Sequence, residues 1–255
     1  MRFASLGSGS QGNALVIEAG GTRLLLDCGF GLAATAARLA RLGLAPEDLA
    51  AIVVTHEHDD HIGGVARLAR RHGIPVWLTP GTLAGFEALF AGVARISMIQ
   101  NYDAFVVGDV QVQPFPVPHD AREPAQYVFS DGASRLGVLT DVGCSTRHIE
   151  AMLSGCDALV LECNHDAELL RTSSYPQKLR ERIAGRFGHL DNGAAADLLR
   201  SLDNGKLKHL VAAHLSQENN RPDLARAALS AVMNCAPDWI AIADQDEGLP
   251  WRQID

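Results

Sequence analysis

The chain has 255 residues, of which 47% are apolar and 20% charged, an ordinary globular usage that excludes both a disordered polymer and a membrane-embedded one. Its formal charge of -8 excludes a surface that wraps a polyanion on all sides, while leaving room for a local basic groove. At roughly 150 residues per domain one or two domains would fit, and with no linker or low-complexity tract a single domain over 1–255 is expected.

Arg2 to Leu6, Ala14 to Glu18 and Arg23 to Leu26 read as strands of a meander, parted by the turns Gly7 to Gly12 and Gly20-Gly21. Leu32 to Leu42 has helical spacing and ends at Gly43, a residue type suited to the left-handed position that closes a helix. Ala51 to Thr55 is a buried-strand pattern that runs into a histidine-rich string, and Val65 to Arg71 reads as a helix closed by Gly73. Further strands are expected at 76–78, 105–107, 110–115, 127–130, 136–140, 158–161 and 210–213, and helices at 147–153, 177–183, 194–202 and 222–232. Strands and helices alternating in this way predict an α/β fold.

Gly and Ser interrupt the N-terminus before any apolar stretch of signal-peptide length, and no uninterrupted apolar run of about 18 residues follows. A cytoplasmic protein without a membrane span is therefore expected. Cys28, Cys144, Cys156, Cys163 and Cys235 are odd in number, scattered and free of any Cys-x-x-Cys pair, which suits reduced thiols better than disulfides or a zinc knuckle.

The dominant chemical signal is His56-Glu57-His58-Asp59-Asp60-His61, three histidines and two aspartates in six residues directly after a buried strand. Residues two apart in an extended segment point the same way, so His56 and His58 can grip one cation, while Asp60 and His61 turn onto a first helical turn and face a second. Imidazoles and carboxylates without cysteine suit zinc, manganese or iron in an open catalytic site rather than a closed structural one.

With this string the chain resembles the metallo-β-lactamase superfamily, and the family's remaining motifs follow in their usual order over nearly the whole length. The resemblance implies a four-layer αββα sandwich, two central mixed sheets flanked by helices, with two divalent metal ions, zinc or manganese, iron also being suitable. Asp27, after Leu24-Leu25-Leu26, matches the aspartate that orients the metal-binding loop. His119 in Pro118-His119-Asp120 matches the ligand that joins His56 and His58 on the first metal. Asp141 in Leu139-Thr140-Asp141-Val142-Gly143 matches the carboxylate bridging both metals, and His214 the ligand that joins Asp60 and His61 on the second. A carboxylate in the bridging position resembles the phosphodiesterase, nuclease and thioesterase branches and disfavours antibiotic hydrolysis. The spacing from Asp141 to His214 is too short for the domain inserted there in the large RNA- and DNA-processing members.

More narrowly, the chain resembles the WalJ/YycJ-type subfamily, regarded as DNA exonucleases. That resemblance rests on Leu6-Gly7-Ser8-Gly9-Ser10-Gln11-Gly12-Asn13, Glu162-Cys163-Asn164-His165-Asp166, Tyr175-Pro176, Gly188-His189-Leu190-Asp191-Asn192 and His214-Leu215-Ser216-Gln217-Glu218-Asn219-Asn220. One departure stands out: Asp191 occupies a place where Ser is expected, adding negative charge near a phosphate path. By the same resemblance His189 is the proton donor to the leaving oxygen, and Ser8, Asn13, Asn164, His165 and Tyr175 stand near the substrate.

Arg171, Lys178, Arg180, Arg182 and Arg186 form a basic stretch able to track phosphates, and Arg67, Arg70, Arg71 and His72 form a second. Only Tyr175 is aromatic within the first stretch, so contact mainly with a nucleic-acid backbone is expected. Two cations can activate a water and hold both oxygens of an in-line displacement, so the expected reaction is phosphodiester hydrolysis of DNA. Asp60 would orient the nucleophile, Asp141 set the metal separation, and Lys178, Arg180 and Arg182 hold the strand. RNA or a small cyclic phosphodiester, a thioester or lactone at the same site, and a non-catalytic binding role are the alternatives. Protein partners are unspecified and a homo-oligomer is left open.

Overall fold

A computed structural model describes residues 1–254. In chain order the first sheet is built from β1 (Arg2–Gly7), β2 (Ala14–Ala19), β3 (Thr22–Leu26), β4 (Ala51–Val53), β5 (Val76–Leu78) and β6 (Ile96–Met98). The second takes β7 (Phe105–Val107), β8 (Val110–Pro116), β9 (Ala125–Ser130), β10 (Arg135–Leu139), β11 (Ala158–Glu162), β12 (His209–Ala213) and β13 (Ala241–Ile242), after which β14 (Leu249–Gln253) returns to the first beside β1. Each sheet is mixed: β1 to β3 form the antiparallel meander and β3 to β6 run parallel, while β7 to β10 are antiparallel and β10 to β13 parallel.

One apolar cluster joins the inner faces, with Phe3, Ile17, Leu24 and Val53 of the first sheet against Val112, Tyr127, Phe129 and Val160 of the second. The outer faces are covered by helices. α1 (Leu32–Arg41) and α3 (Val65–His72) lie on the first sheet, and α6 (Arg147–Leu153), α9 (Asn192–Ser201) and α10 (Pro222–Met233) on the second. Strands buried on both faces read as continuous apolar runs, which is why β4, β10, β11 and β12 were legible. The result is the expected αββα sandwich.

Several expectations need adjustment. The run Ala51 to Thr55 leaves the ladder after Val53, because the Thr55 amide donates to the Asp27 carboxylate instead of to a neighbouring strand. Six short helical or strand segments were not foreseen: α4 (Pro80–Leu83), α5 (Glu87–Phe90), β6, α7 (Ala167–Thr172), β13 and β14. Each is brief or half-exposed, so hydrophobic periodicity has little length in which to show. α2 (Asp59–Ile62) supplies the helical turn expected for Asp60 and His61, and α8 (Gln177–Ile183) has its expected bounds. Gly43 and Gly73 both take left-handed conformations at helix ends. No helix among the described residues is long and apolar enough to cross a membrane.

Candidate metal centre

The expected ligands gather where strands end. Asp27 follows β3, His56 to His61 follow β4, His119 follows β8, Asp141 follows β10 and His214 follows β12, so loops on the carboxyl edges of the two sheets meet in one crevice. Asp27, Asp141 and His214 have φ of 60, 53 and 55°. A left-handed backbone is costly for residues with a Cβ and persists where surrounding structure imposes it. Here it marks three sharp strand-end turns, each at a residue of the site.

Two groups of donors result. His56, His58 and His119 form one, and Asp60, His61, Asp141 and His214 the other, the ligating atoms of each lying within 4.8 Å of one another. Hydrogen bonds from behind fix which nitrogens face inward. Thr55 Oγ1 donates to Asp27 Oδ2 at 2.8 Å and so accepts from His56 Nδ1 at 2.9 Å. His61 Nδ1 donates to Asp27 at 2.8 Å, and His119 Nδ1 to the Gly188 carbonyl at 3.1 Å. The Nε2 atoms of all three rings are thereby left as lone pairs, the state a metal ligand requires. Those of His56 and His119 converge on His58 Nδ1, at 3.0 and 3.3 Å.

Whether a cation suits this geometry can be judged from Asp141. Its Oδ2 is buried without a hydrogen-bond partner, yet lies 3.0 Å from His61 Nε2. Two lone pairs facing each other in the interior need a positive charge between them, and a hard or borderline divalent ion bound by oxygen and imidazole nitrogen supplies one. The electrostatics agree. Burial opposes a charge on His61, but Asp141 and Asp27 outweigh it and raise its pKa well above that of ordinary histidine. Burial likewise opposes ionisation of Asp141, and the surrounding histidines, His214 and His61 foremost, override that and hold its pKa well below the ordinary value. Asp27, fully enclosed, is pushed up by burial, which His61 only partly offsets.

The sequence did not single out Glu162, at the end of β11, as a site residue. Its fully buried carboxylate accepts from the amides of Asp141 (3.1 Å), Val142 (3.1 Å) and Leu190 (3.0 Å) and from His189 Nδ1 (2.8 Å). The local signals were an acidic residue closing an otherwise apolar strand, a placement that demands partners, and its position at the head of the Glu162-Cys163-Asn164-His165-Asp166 motif. Burial resists a proton on His189, yet the Glu162 charge raises its pKa to about 9. The His189 ring stacks on His214 at 5.4 Å, with Nδ1 3.6 Å from Asp141 Oδ1.

A cleft of about 290 Å³ opens at His189 and is lined also by Ser10, Asp120, Tyr175, Leu179, Arg182 and Ile183. Tyr175 and Arg182 thus stand where substrate contact was expected, Arg182 Nε donating to Asp120 Oδ2 at 2.5 Å. Lys178 is exposed on α8 and is not among the residues lining this cleft, and Arg180 borders a separate cavity of about 600 Å³ across the helix, with His165, Leu170, Gln177 and Asp191. Ser8, Asn13, Asn164 and His165 are buried. Ser8 Oγ accepts from the His214 amide, Asn13 Nδ2 reaches Asp60 Oδ2 at 3.3 Å and His61 Nε2 at 3.1 Å, and Asn164 Nδ2 donates to the His214 carbonyl. These three bond to ligand residues, and none of them lines the cleft at His189. Asp191, the departure from the expected Ser, accepts from the Ala194 amide and caps α9, a role either residue type fills. In the second basic cluster Arg70 bonds the Leu89 and Ala91 carbonyls and His72 pairs with Glu47, so these side chains tie surface segments together.

A family model described as a β-lactamase superfamily domain matches residues 22–214. The chain is 36% identical over 238 residues to exodeoxyribonuclease YycJ of Bacillus anthracis, covering 91% of this chain and 89% of that one. It is 34% identical over 233 residues to exodeoxyribonuclease WalJ of Streptococcus pneumoniae, covering 89% and 86%. Among solved structures, the metallo-β-lactamase fold protein YhfI from Bacillus subtilis superposes with a TM-score of 0.76 at 17% identity over 98% of both chains. Zinc-bound PqqB from Methylobacterium extorquens gives 0.73 at 18% identity, over 99% of this chain and 100% of that one. At such identities these structures speak to the fold alone.

Proposed function

The chain belongs to the metallo-β-lactamase superfamily and, within it, to the family of the YycJ and WalJ exodeoxyribonucleases, and from that premise we propose that it is a metal-dependent exonuclease that acts on DNA as a single domain in the cytoplasm. The observation that carries this reading is the juxtaposition of the two ligand groups with His189, a histidine anchored by a buried carboxylate at the head of a cleft that also holds Arg182. Five free cysteines favour a reducing compartment.

Two divalent cations, zinc or manganese, for which His56, His58 and His119 and Asp60, His61, Asp141 and His214 offer the donors, would supply Lewis-acid activation of water and of the phosphodiester. The chain's own residues do the rest. Asp60, with Oδ2 3.4 Å from His214 Nε2 and braced by Asn13, orients the attacking water. His189, with Nδ1 committed to Glu162, has Nε2 left to protonate the departing sugar oxygen. Arg182 offers its charge to a phosphate of the bound strand, drawing it from Asp120. Tyr175 closes the cleft wall beside it.

The test is digestion of 5′- and 3′-end-labelled DNA by protein loaded with zinc or manganese, beside a His61→Ala control. Metal-dependent release of mononucleotides that the control lacks is expected. DNA left intact by metal-replete protein would overturn the reading in favour of another phosphodiester or a thioester.

A further inference from the structure

The turn from Ser8 to Asn13, which joins β1 to β2, satisfies all but one of its backbone amides within the protein. Ser8 donates to the Asp244 carbonyl (3.1 Å), Gly9 to Asn13 Oδ1 (2.8 Å) and Gln11 to Gln245 Oε1 (2.9 Å). Gly12 donates to the Gly9 carbonyl (3.0 Å) and Asn13 to the Asp60 carbonyl (2.8 Å). The Ser10 amide alone in this run bonds no protein group, and its hydroxyl has no protein partner either. Backbone donors left free in a folded chain lie where water or a ligand reaches them. Ser10 is exposed, and it lines the cleft together with His189, Arg182, Tyr175 and Asp120.

The turn is held in this shape from several sides. Buried Gln245 clamps it twice, Oε1 accepting from the Gln11 amide and Nε2 donating to the Gly12 carbonyl at 2.9 Å. Gly9 and Gly12 have φ of 147 and 145°, and a Cβ on Gly12 would stand 2.5 Å from the Phe30 ring. The ends of the turn are fastened to the second donor group, since Ser8 Oγ accepts from the His214 amide and Asn13 Nδ2 bonds Asp60. An amide N–H can only donate, so what it takes here is an acceptor such as an anionic oxygen. The cleft lining includes His189 but none of the seven ligand candidates. The reacting phosphate belongs at the ligands, so the cleft holds the adjoining stretch of strand. While Arg182 is paired with Asp120, that pair offers a phosphate little net charge, and neutral donors add what it withholds.

We propose that Ser10, through its amide and hydroxyl, binds a non-bridging oxygen of a backbone phosphate next to the scissile one. The assignment rests on the nuclease reading above. It names a donor distinct from Ser8 and Asn13 of the same turn, whose polar groups are bonded within the protein. Contacts of this kind, from serine hydroxyls and backbone amides to phosphate, set the register of a strand and carry no sequence preference.

The test compares Ser10→Ala and Ser10→Asp with the unaltered protein on DNA and on the same DNA carrying one neutral methylphosphonate at each position flanking the cleaved bond in turn. On unmodified DNA Ser10→Ala should lose about 5- to 50-fold in kcat/KM, chiefly through KM, and Ser10→Asp, which sets a carboxylate against the phosphate, should lose more. A neutral donor releases no counterion, so Ser10→Ala should leave the log-log salt slope of DNA binding unchanged. Metal content and melting temperature should stay unchanged in both variants. A methylphosphonate at one flanking position should slow the unaltered protein and remove most of the difference between it and Ser10→Ala. Equal kcat/KM of all three proteins on unmodified DNA would sink this assignment alone, as would a Ser10→Ala loss that no methylphosphonate position removes. Failure of the unaltered protein to digest DNA sinks the nuclease reading and this assignment with it.

Discussion

His189 Nδ1 lies 2.8 Å from Glu162 Oε1, and the same buried carboxylate gathers the amides of Asp141, Val142 and Leu190. One side chain therefore fixes both the expected proton donor and the loop that carries Asp141. Replacing Glu162 by Gln turns an acceptor oxygen into an amide facing donors. Each donor left unsatisfied costs about 1–3 kcal/mol, so a marked loss of stability in chemical denaturation and a fall in turnover are expected together. Unchanged values of both would show that the anchor is dispensable.

Removal of the His189 ring should separate chemistry from metal binding. His189→Ala is expected to reduce turnover on DNA by about 10²- to 10⁴-fold while metal content holds. A nitrophenyl phosphodiester, whose leaving group needs no protonation, should lose less. Loss of metal from the variant would contradict the role.

Asp27 accepts from His61 and Thr55, and through Thr55 also sets His56. Asp27→Asn turns one oxygen into a donor that opposes these groups and frees both imidazoles to adopt the wrong tautomer. Zinc affinity, followed by competition with a chromophoric chelator, should fall by about 10- to 100-fold, the usual cost of altering a group behind a ligand. An unaltered affinity would assign Asp27 to folding alone.

Two carboxylates and five imidazoles close to one another are poorly compatible without a cation to organise them. Chelation should therefore lower the melting temperature, and added zinc or manganese should restore it by an increment that grows with the logarithm of free metal. A melting temperature indifferent to both treatments would speak against a resident ion.

Arg182 is held in the cleft by Asp120, whereas Arg70 is committed to the carbonyls of Leu89 and Ala91. Arg182→Ala should weaken DNA binding, measured by fluorescence anisotropy, and flatten the log-log salt dependence by about one unit. Arg70→Ala should leave that slope in place. Equal slopes in all three proteins would remove Arg182 from the phosphate path.

The metal string was legible because its geometry is local: alternation in an extended segment pairs His56 with His58, and the following helical turn delivers Asp60 and His61. Asp27, Asp141 and His214 were legible as polar residues ending apolar strands, and their motif order supplied the family. Glu162 sits 27 residues before His189, and nothing in the intervening sequence announces that β11 and the loop after α8 will bring them together. Ser8, Asn13 and Asn164 looked like substrate contacts because polar residues near a motif read alike whether they face a cleft or a ligand. Alternation and residue chemistry, both short-range, thus determined from the sequence alone an α/β fold and the donors of His56 to His61, while the αββα layering and the ligands supplied by distant strand ends were implied by the family resemblance. Which polar groups face inward and which cation lines the cleft were decided only by the packing of sheets and loops, because those relations depend on backbone turns meeting across long sequence separations.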